Sequence, residues 1–117
     1  MEEQGKSKEL QKVIDRFIEI LPERYDEITK LVEELLSPAC QSGEQNLAQL
    51  KQALHKMVGT SGSLQFNDLS IDARNFLEFC RSISLNEDSR LLKNDVAQIK
   101  QLYIQFNNSM SALINKR

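Results

Sequence analysis

The amino-acid sequence predicts an all-α protein, an antiparallel four-helix bundle with a short extra N-terminal helix. Glycine and proline supply only 6 of the 117 residues, about half their usual share, whereas leucine, a good helix former, is abundant. Apolar residues recur every three or four positions, which is the spacing of one helix face, and no segment alternates as a β-strand does. Short connections favour antiparallel neighbours and therefore a bundle.

The first two predicted helices meet at Pro22. Proline suits the first turn of a helix, so a second helix is expected to begin there, with the short first helix lying across one end of the bundle. The second helix is expected to end at Ser37, because the residue before Pro38 is disfavoured in the α conformation. The apolar stripes of these helices are Leu10, Val13, Ile14, Phe17, Ile18 and Leu21, and then Tyr25, Ile28, Val32, Leu35 and Leu36.

Three further helices complete the prediction. A loop at 39–44 places the next helix start near Ser42 or Gly43, Asn67 or Asp68 is expected to cap the helix after that, and Asn86 is expected to cap the last one. The three apolar stripes are Leu47, Leu50, Leu54, Met57, Ser61 and Leu64; Leu69, Ala73, Phe76, Leu77 and Cys80; and Leu92, Val96, Ile99, Tyr103, Phe106, Met110 and Leu113.

Length and composition predict one domain over residues 1–117, with 1–7 as a flexible tail. The net charge of −2, without a basic cluster, excludes a general nucleic-acid binder. No apolar run approaches the roughly 18 residues of a membrane span, and the polar N-terminus does not read as a signal or transit peptide, so a cytoplasmic location is expected. Cys40 and Cys80 are too few for a disulfide framework or a cysteine-based metal site, and reduced thiols are expected.

The only histidine, His55, is the most informative polar residue. It lacks the partners of a Ser-His-Asp site or a zinc site, and residues 59–63 lack the lysine and the preceding strand of a phosphate loop. His55 lies about 100° round the helix from Leu54, so it is expected to reach solvent. Gly59 and Gly62 follow at one and two turns and cost roughly 1 kcal/mol each in a helix. The ordinary interpretation is a solvated histidine beside glycines that permit close packing; the other is a bare surface that a second protein approaches.

A resemblance favours the second interpretation. Residues 54–64, Leu-His-Lys-Met-Val-Gly-Thr-Ser-Gly-Ser-Leu, resemble the signature of histidine-containing phosphotransfer (HPt) domains, and residues 17–24 and 69–78 are similar to the family's pattern before and after it. The resemblance covers nearly the whole chain and implies a monomeric four-helix bundle. Two positions depart from the family pattern: Val58 stands where lysine is usual, and Gln65 stands where glycine is usual.

The resemblance implies that His55 is the acceptor, and the positions of its neighbours on the helix suggest a role for each of them. His55 is the expected phosphoryl acceptor, supported by Gly59 and Gln52, with Lys51 or Lys56 in place of the missing lysine. Val58, Gly62 and Ser63 are the expected docking residues.

The resemblance also implies the partners. His55 would take a phosphoryl group from an aspartate of one response-regulator receiver domain and pass it to another, with a hybrid histidine kinase as a further partner. The chain itself is expected to hold no metal or cofactor and to have no kinase activity, and a magnesium ion is expected in the receiver. Two alternatives remain: an HPt-like module that docks on and inhibits a receiver or kinase without transfer, and a helical adaptor whose resemblance is accidental.

Overall fold

A computed structural model describes residues 2–37, 43–85 and 91–115, with side chains from residue 8 onward. This part of the chain forms four α-helices and no strand; they are α1 (Glu2–Leu36), α2 (Gly43–Ser63), α3 (Asn67–Ser82) and α4 (Lys93–Asn115). α2 packs against α3 and α1, and α4 also packs against α3 and α1, so the four helices close round one core. The predicted all-α bundle is confirmed. None of these helices is both long and apolar enough to cross a membrane.

The core takes apolar side chains from all four helices. Phe76 and Phe106 lie at its centre, fully buried, with ring centroids 6.3 Å apart in an edge-to-face arrangement that favours the pair beyond its burial alone. The other apolar residues that are wholly buried are Leu21, Leu50, Leu54, Ala73, Cys80, Ile99 and Met110. All of these residues belong to the predicted stripes, because helical periodicity identifies the inward face directly.

α1 does not break at Pro22, so the separate N-terminal helix is a wrong prediction. One helix of 35 residues runs through the proline. The buried residues Phe17 and Leu21 before it continue in register into Ile28 and Val32 after it, so one unbroken helix buries the whole stripe. Pro22 itself lies on the exposed face, where its ring displaces no core side chain.

Three other residues that were predicted to be buried are exposed, and all three lie toward or next to the ends of long helices. Leu10 and Val13 of α1, predicted to be buried, are each 52% exposed. α1 spans about 52 Å at 1.5 Å per residue, more than twice the length of the 16-residue α3, so its N-terminal part extends past the bundle. Leu92 is 51% exposed because it precedes α4, where its carbonyl accepts the amides of Asp95 and Val96.

Several predicted boundaries can be compared with the helices. The start of α2 at Gly43 is confirmed. Cys40 and the predicted cap Asn86 lie outside the described residues, and α4 begins only at Lys93. Residues 2–7 belong to the backbone of α1, but Met1 and the side chains up to residue 7 are not described, so the flexible tail at 1–7 stays a prediction.

A Schellman motif ends α2 and sets the turn into α3. The amide of Phe66 donates to the carbonyl of Ser61 at 2.8 Å, and the amide of Gln65 donates to the carbonyl of Gly62 at 3.1 Å. This pattern needs a left-handed residue between the helices, and Gln65 has φ 66°. Gln65 stands where glycine is usual in the resembled family, so here a residue with a Cβ adopts the left-handed conformation.

The predicted cap of α3 is wrong. Phe66 is the N-cap and makes no side-chain cap hydrogen bond, whereas Asn67 and Asp68 are already helical. The ring of Phe66 stacks on Phe17 of α1, with centroids 5.5 Å apart. Aromatic packing and the Schellman hydrogen bonds therefore fix this turn in place of a polar cap.

Replacing Gln65 with glycine is expected to raise the free energy of unfolding by about 1 kcal/mol, because a residue with a Cβ is strained in the left-handed region. Urea denaturation followed by circular dichroism measures the change. Gln65→Ala keeps the Cβ and is the matched control, expected to gain nothing. Equal midpoints for the two variants would contradict the strain at this turn.

Candidate functional site

His55 lies on the outer face of α2, in the middle of the helix. Its neighbours Leu54 and Met57 are buried and hold α2 against the core. The rotation of about 100° per residue then turns the imidazole away from the core, and His55 is exposed. The prediction that His55 reaches solvent is confirmed.

From residue 48 onward, the exposed residues within about 80° of His55 on the helical wheel carry no charge. They are Ala48, Gln52, Gly59, Gly62 and Ser63, which we call the outer strip, and the half-buried Lys51 lies beside them. Four of the predicted supporting and docking residues are thus brought together with the histidine. A partner approaching along this face would meet little side-chain bulk.

The two glycines of the strip differ in their surroundings. A Cβ at Gly62 would lie 3.2 Å from the hydroxyl oxygen of Ser70 on α3, whereas a Cβ at Gly59 would meet nothing within 4 Å. Gly62 therefore permits the close approach of α2 and α3. Packing among the described residues does not require glycine at 59, so its lack of a side chain concerns what approaches from outside.

Val58, the residue at the usual lysine position, is partly buried and packs against the core. Its carbonyl accepts a hydrogen bond from the Ser70 hydroxyl at 3.2 Å. Nearby, the buried Ser61 donates its hydroxyl to the carbonyl of Met57. The Ser70 bond ties α3 to α2 one turn beyond the histidine, whereas the Ser61 bond lies within α2. The docking role expected for Val58 stays a prediction, and only part of its side chain is available for it.

The two lysines expected to support His55 lie on opposite flanks of α2. Lys51 is half-buried on the flank that faces α3. Lys56 is exposed and lines a cleft on the flank that faces α1. On the helical wheel Lys51 is about 40° from His55 and Lys56 about 100°, so the structure does not bring both lysines to the same side of the imidazole.

Cys80 is a core residue, as predicted. Burial raises the pKa of its thiol to about 12, while the positive charge of Lys51 acts in the opposite direction. Since the thiolate is the reactive form, Cys80 is inert near neutral pH. It offers no second nucleophile to the site.

A cleft of about 530 Å³ between α1 and α2 lies beside the outer strip. The apolar side chains that line it are Phe17, Ile20, Ile28, Leu31, Ala53 and Met57. Polar and charged side chains of both signs line it as well, including Arg24, Glu27, Gln52 and Lys56. The sequence pattern does not reveal this cleft, because its width depends on how far apart α1 and α2 pack. The available signal was that Ile20 and Leu31 are apolar residues beside the main stripe of α1.

A polar cluster joins α1 to α4 away from the histidine. The hydroxyl groups of Thr29 and Tyr103 are 2.6 Å apart, and Tyr103 also donates to the Tyr25 hydroxyl at 3.4 Å. Burial is the main cause that raises the pKa of Tyr103 to about 12, so the phenol stays protonated and serves to pair the helices.

The imidazole of His55 is the strongest candidate nucleophile on the outer strip. Within the described ranges, no three His, Cys, Asp or Glu residues come together as they would to hold a metal ion. The ring nitrogen of an imidazole is a nucleophile that can accept a group. The arrangement fits a residue that carries a group that another protein delivers.

The comparisons with known proteins agree with this geometry. The model of the family described as "Hpt domain" matches residues 12–115, which is most of the chain. No curated protein and no solved structure matches it. Because the match covers most of a chain that folds as a helical bundle with an exposed histidine, the chain belongs to the Hpt domain family.

Proposed function

We propose that this chain is a phosphoryl carrier in which His55 accepts a phosphoryl group from a receiver-domain aspartate and passes it to a second receiver. Membership of the Hpt family implies a part in histidine phosphotransfer in two-component signalling. The single observation that carries the proposal is the exposed His55 on a strip that is open at Gly59. The supporting chemistry comes from the partner, because phosphoryl transfer depends mainly on positioning and charge neutralisation.

The transfer step is a substitution at phosphorus. The Nε2 lone pair of a neutral His55 attacks the phosphorus of the aspartyl phosphate, in line with the leaving carboxylate. The P–N bond forms as the P–O bond breaks, and the electron pair of the P–O bond stays on the aspartate carboxylate. Nδ1 carries the ring proton during attack and then releases it to solvent, and Gln52, one turn back on the outer strip, is the candidate to hold the ring. The receiver is expected to bring a magnesium ion. The same step in reverse delivers the group to a second receiver.

The receiver is expected to dock across the outer strip and the neighbouring cleft. The strip lets its aspartyl phosphate come close at Gly59, where an added Cβ would meet no atom of the described residues within 4 Å. The apolar lining of the cleft offers an anchor at one edge, and small interfaces of this kind suit transient partners. Gly62, Ser63 and the exposed part of Val58 would complete the contact on the other edge.

The α2 lysines contribute positive charge at the edges of this surface. Lys51 lies one turn before His55, and residues four apart share a helix face. Lys56 lies beside the cleft, where it would meet the receiver rather than the phosphoryl group. We therefore assign Lys51 to the phosphoryl group and Lys56 to docking.

A non-transferring module that inhibits a receiver or kinase by docking is the second candidate. The observation in its favour is the partly buried Val58 at the usual lysine position, which removes a positive charge from the acceptor's own helix. Docking and transfer use the same surface but differ in whether they need the imidazole.

Phosphotransfer from a panel of receiver domains charged with acetyl phosphate is expected to label this chain. Intact mass before and after brief acid treatment should show one acid-labile phosphoryl group on the parent and none on His55→Ala. If no receiver labels the parent while binding to receivers is detected with both proteins, the carrier proposal fails and the docking inhibitor is the better account.

A larger side chain at position 59 tests receiver docking separately from the reactivity of the imidazole. Gly59→Gln is expected to slow transfer from the best receiver by about tenfold or more, the size of a single contact worth roughly 1.4 kcal/mol. Phosphorylation of His55 by phosphoramidate, a donor too small to need docking, should fall much less.

Ala97→Gln, an equivalent exposed substitution on α4, is the control for the docking test and should leave both rates unchanged. The helix should tolerate glutamine at 59, since glutamine is a better helix former than glycine. Equal slowing of both donors by Gly59→Gln would mean that the residue acts on the imidazole and not on docking.

A further inference from the structure

We propose that Arg74 of α3 supplies, beside the phosphoryl group on His55, the positive charge that Val58 cannot. This inference rests on the proposed carrier function and names a second helix as part of its site. Among the residues predicted from the sequence, only the lysines of α2 had been considered for this role.

The contact between α2 and α3 places Arg74 at the level of the histidine. The Ser70 hydroxyl donates to the carbonyl of Val58 at 3.2 Å, which sets the register of two helices joined by a short turn. Arg74 lies one turn after Ser70, on the same side of α3. Since the helices are antiparallel, it faces the part of α2 one turn before Val58, and that part includes His55.

Arg74 also lies on the correct flank. Val58 and Lys51 are the residues of α2 next to His55 on the side toward α3, and a lysine at 58 would project along this flank. Packed helices have axes 8–10 Å apart, a separation that a long arginine side chain crosses. Arg74 is exposed, so its guanidinium lies at the surface and not between the helices.

Arg74 is available for a ligand. Over the described residues, the ion pairs join Arg24 to Glu27 and Arg81 to Glu78, and no carboxylate pairs with Arg74. Arg81, on the same face of α3, is two turns farther along and is held by Glu78 at 3.3 Å.

The guanidinium group suits this role. It presents a planar fork of donors that matches two oxygens of a phosphoryl group, and it stays charged at any physiological pH. The positive charge would stabilise the dianionic phosphoryl group in the transition state and on the phosphorylated histidine. The site would then combine a nucleophile from α2 with a cation from α3.

The experiment measures His55 phosphorylation by phosphoramidate, which needs no receiver. Arg74→Gln is expected to slow labelling and to shorten the lifetime of the phosphohistidine by roughly fivefold to tenfold, the effect of one nearby charge in a solvated site. Arg74→Lys should keep most of the rate. The difference between parent and Arg74→Gln should shrink as salt is raised, because the interaction is exposed, whereas a purely structural defect would not respond in this way.

The decisive test of the role of Arg74 is to place a lysine at position 58, where the family usually has one. Val58→Lys in the Arg74→Gln background is expected to recover the rate, because the long side chain can keep its stem against the core and its charge in water. Arg81→Gln removes the same charge from the same helix and should have little effect. An equal loss in Arg81→Gln, or no recovery with Val58→Lys in a folded protein, would overturn the role of Arg74.

The outcomes also separate this inference from the proposed function. If phosphoramidate labels the parent at His55 and Arg74→Gln behaves like the parent, the carrier stands and the role of Arg74 fails. If the parent gains no label that His55→Ala lacks, the carrier function itself fails. Circular dichroism of each variant shows whether the bundle is intact, as expected for an exposed position.

Discussion

The close approach of α2 and α3 is the constraint on which the candidate site depends. Gly62 allows Ser70 to come within reach of α2, and the Ser70 hydroxyl then bonds the carbonyl of Val58. A Cβ at position 62 would lie 3.2 Å from the Ser70 hydroxyl oxygen, so the Ser70 side chain would have to shift to accommodate it. The contact fixes the register of the two helices, and with it which residue of α3 stands beside His55.

The turn between α2 and α3 also fixes how these helices pack, through backbone hydrogen bonds and aromatic stacking. The Schellman hydrogen bonds hold Gln65 in a left-handed conformation, and the stacking of Phe66 on Phe17 anchors the turn to α1. A strained residue is kept because the bonds and the ring packing around it determine its conformation. The end of α2 is therefore held by α1 and α3 together, and the outer face that carries His55 has one orientation relative to both.

Helical periodicity predicted the inward faces of all four helices and the exposure of His55, because burial follows from a repeat that the sequence states directly. The sequence prediction failed at Pro22, where the preference of proline for a helix start suggested a break and the continuous stripe of buried residues instead held one helix together. It failed again at Leu10 and Val13, because an apolar stripe does not say where the neighbouring helices stop. It could not identify the cleft beside α1 or Arg74 as a neighbour of the site, since both depend on distances between helices and not on the order of residues within one.

The difference between contacts within one helix and contacts between two helices also explains how the site can function with valine at position 58. A lysine three residues after the histidine depends only on the geometry of one helix. A cation on α3 depends on the distance and register between two helices, which Gly62 and Ser70 set here. Moving the charge to a second helix frees position 58 to pack against the core, but it makes the environment of His55 sensitive to the packing of α2 on α3. Substitutions at Ser70, which is buried and lies outside the docking surface, should then change phosphoryl transfer as well as stability.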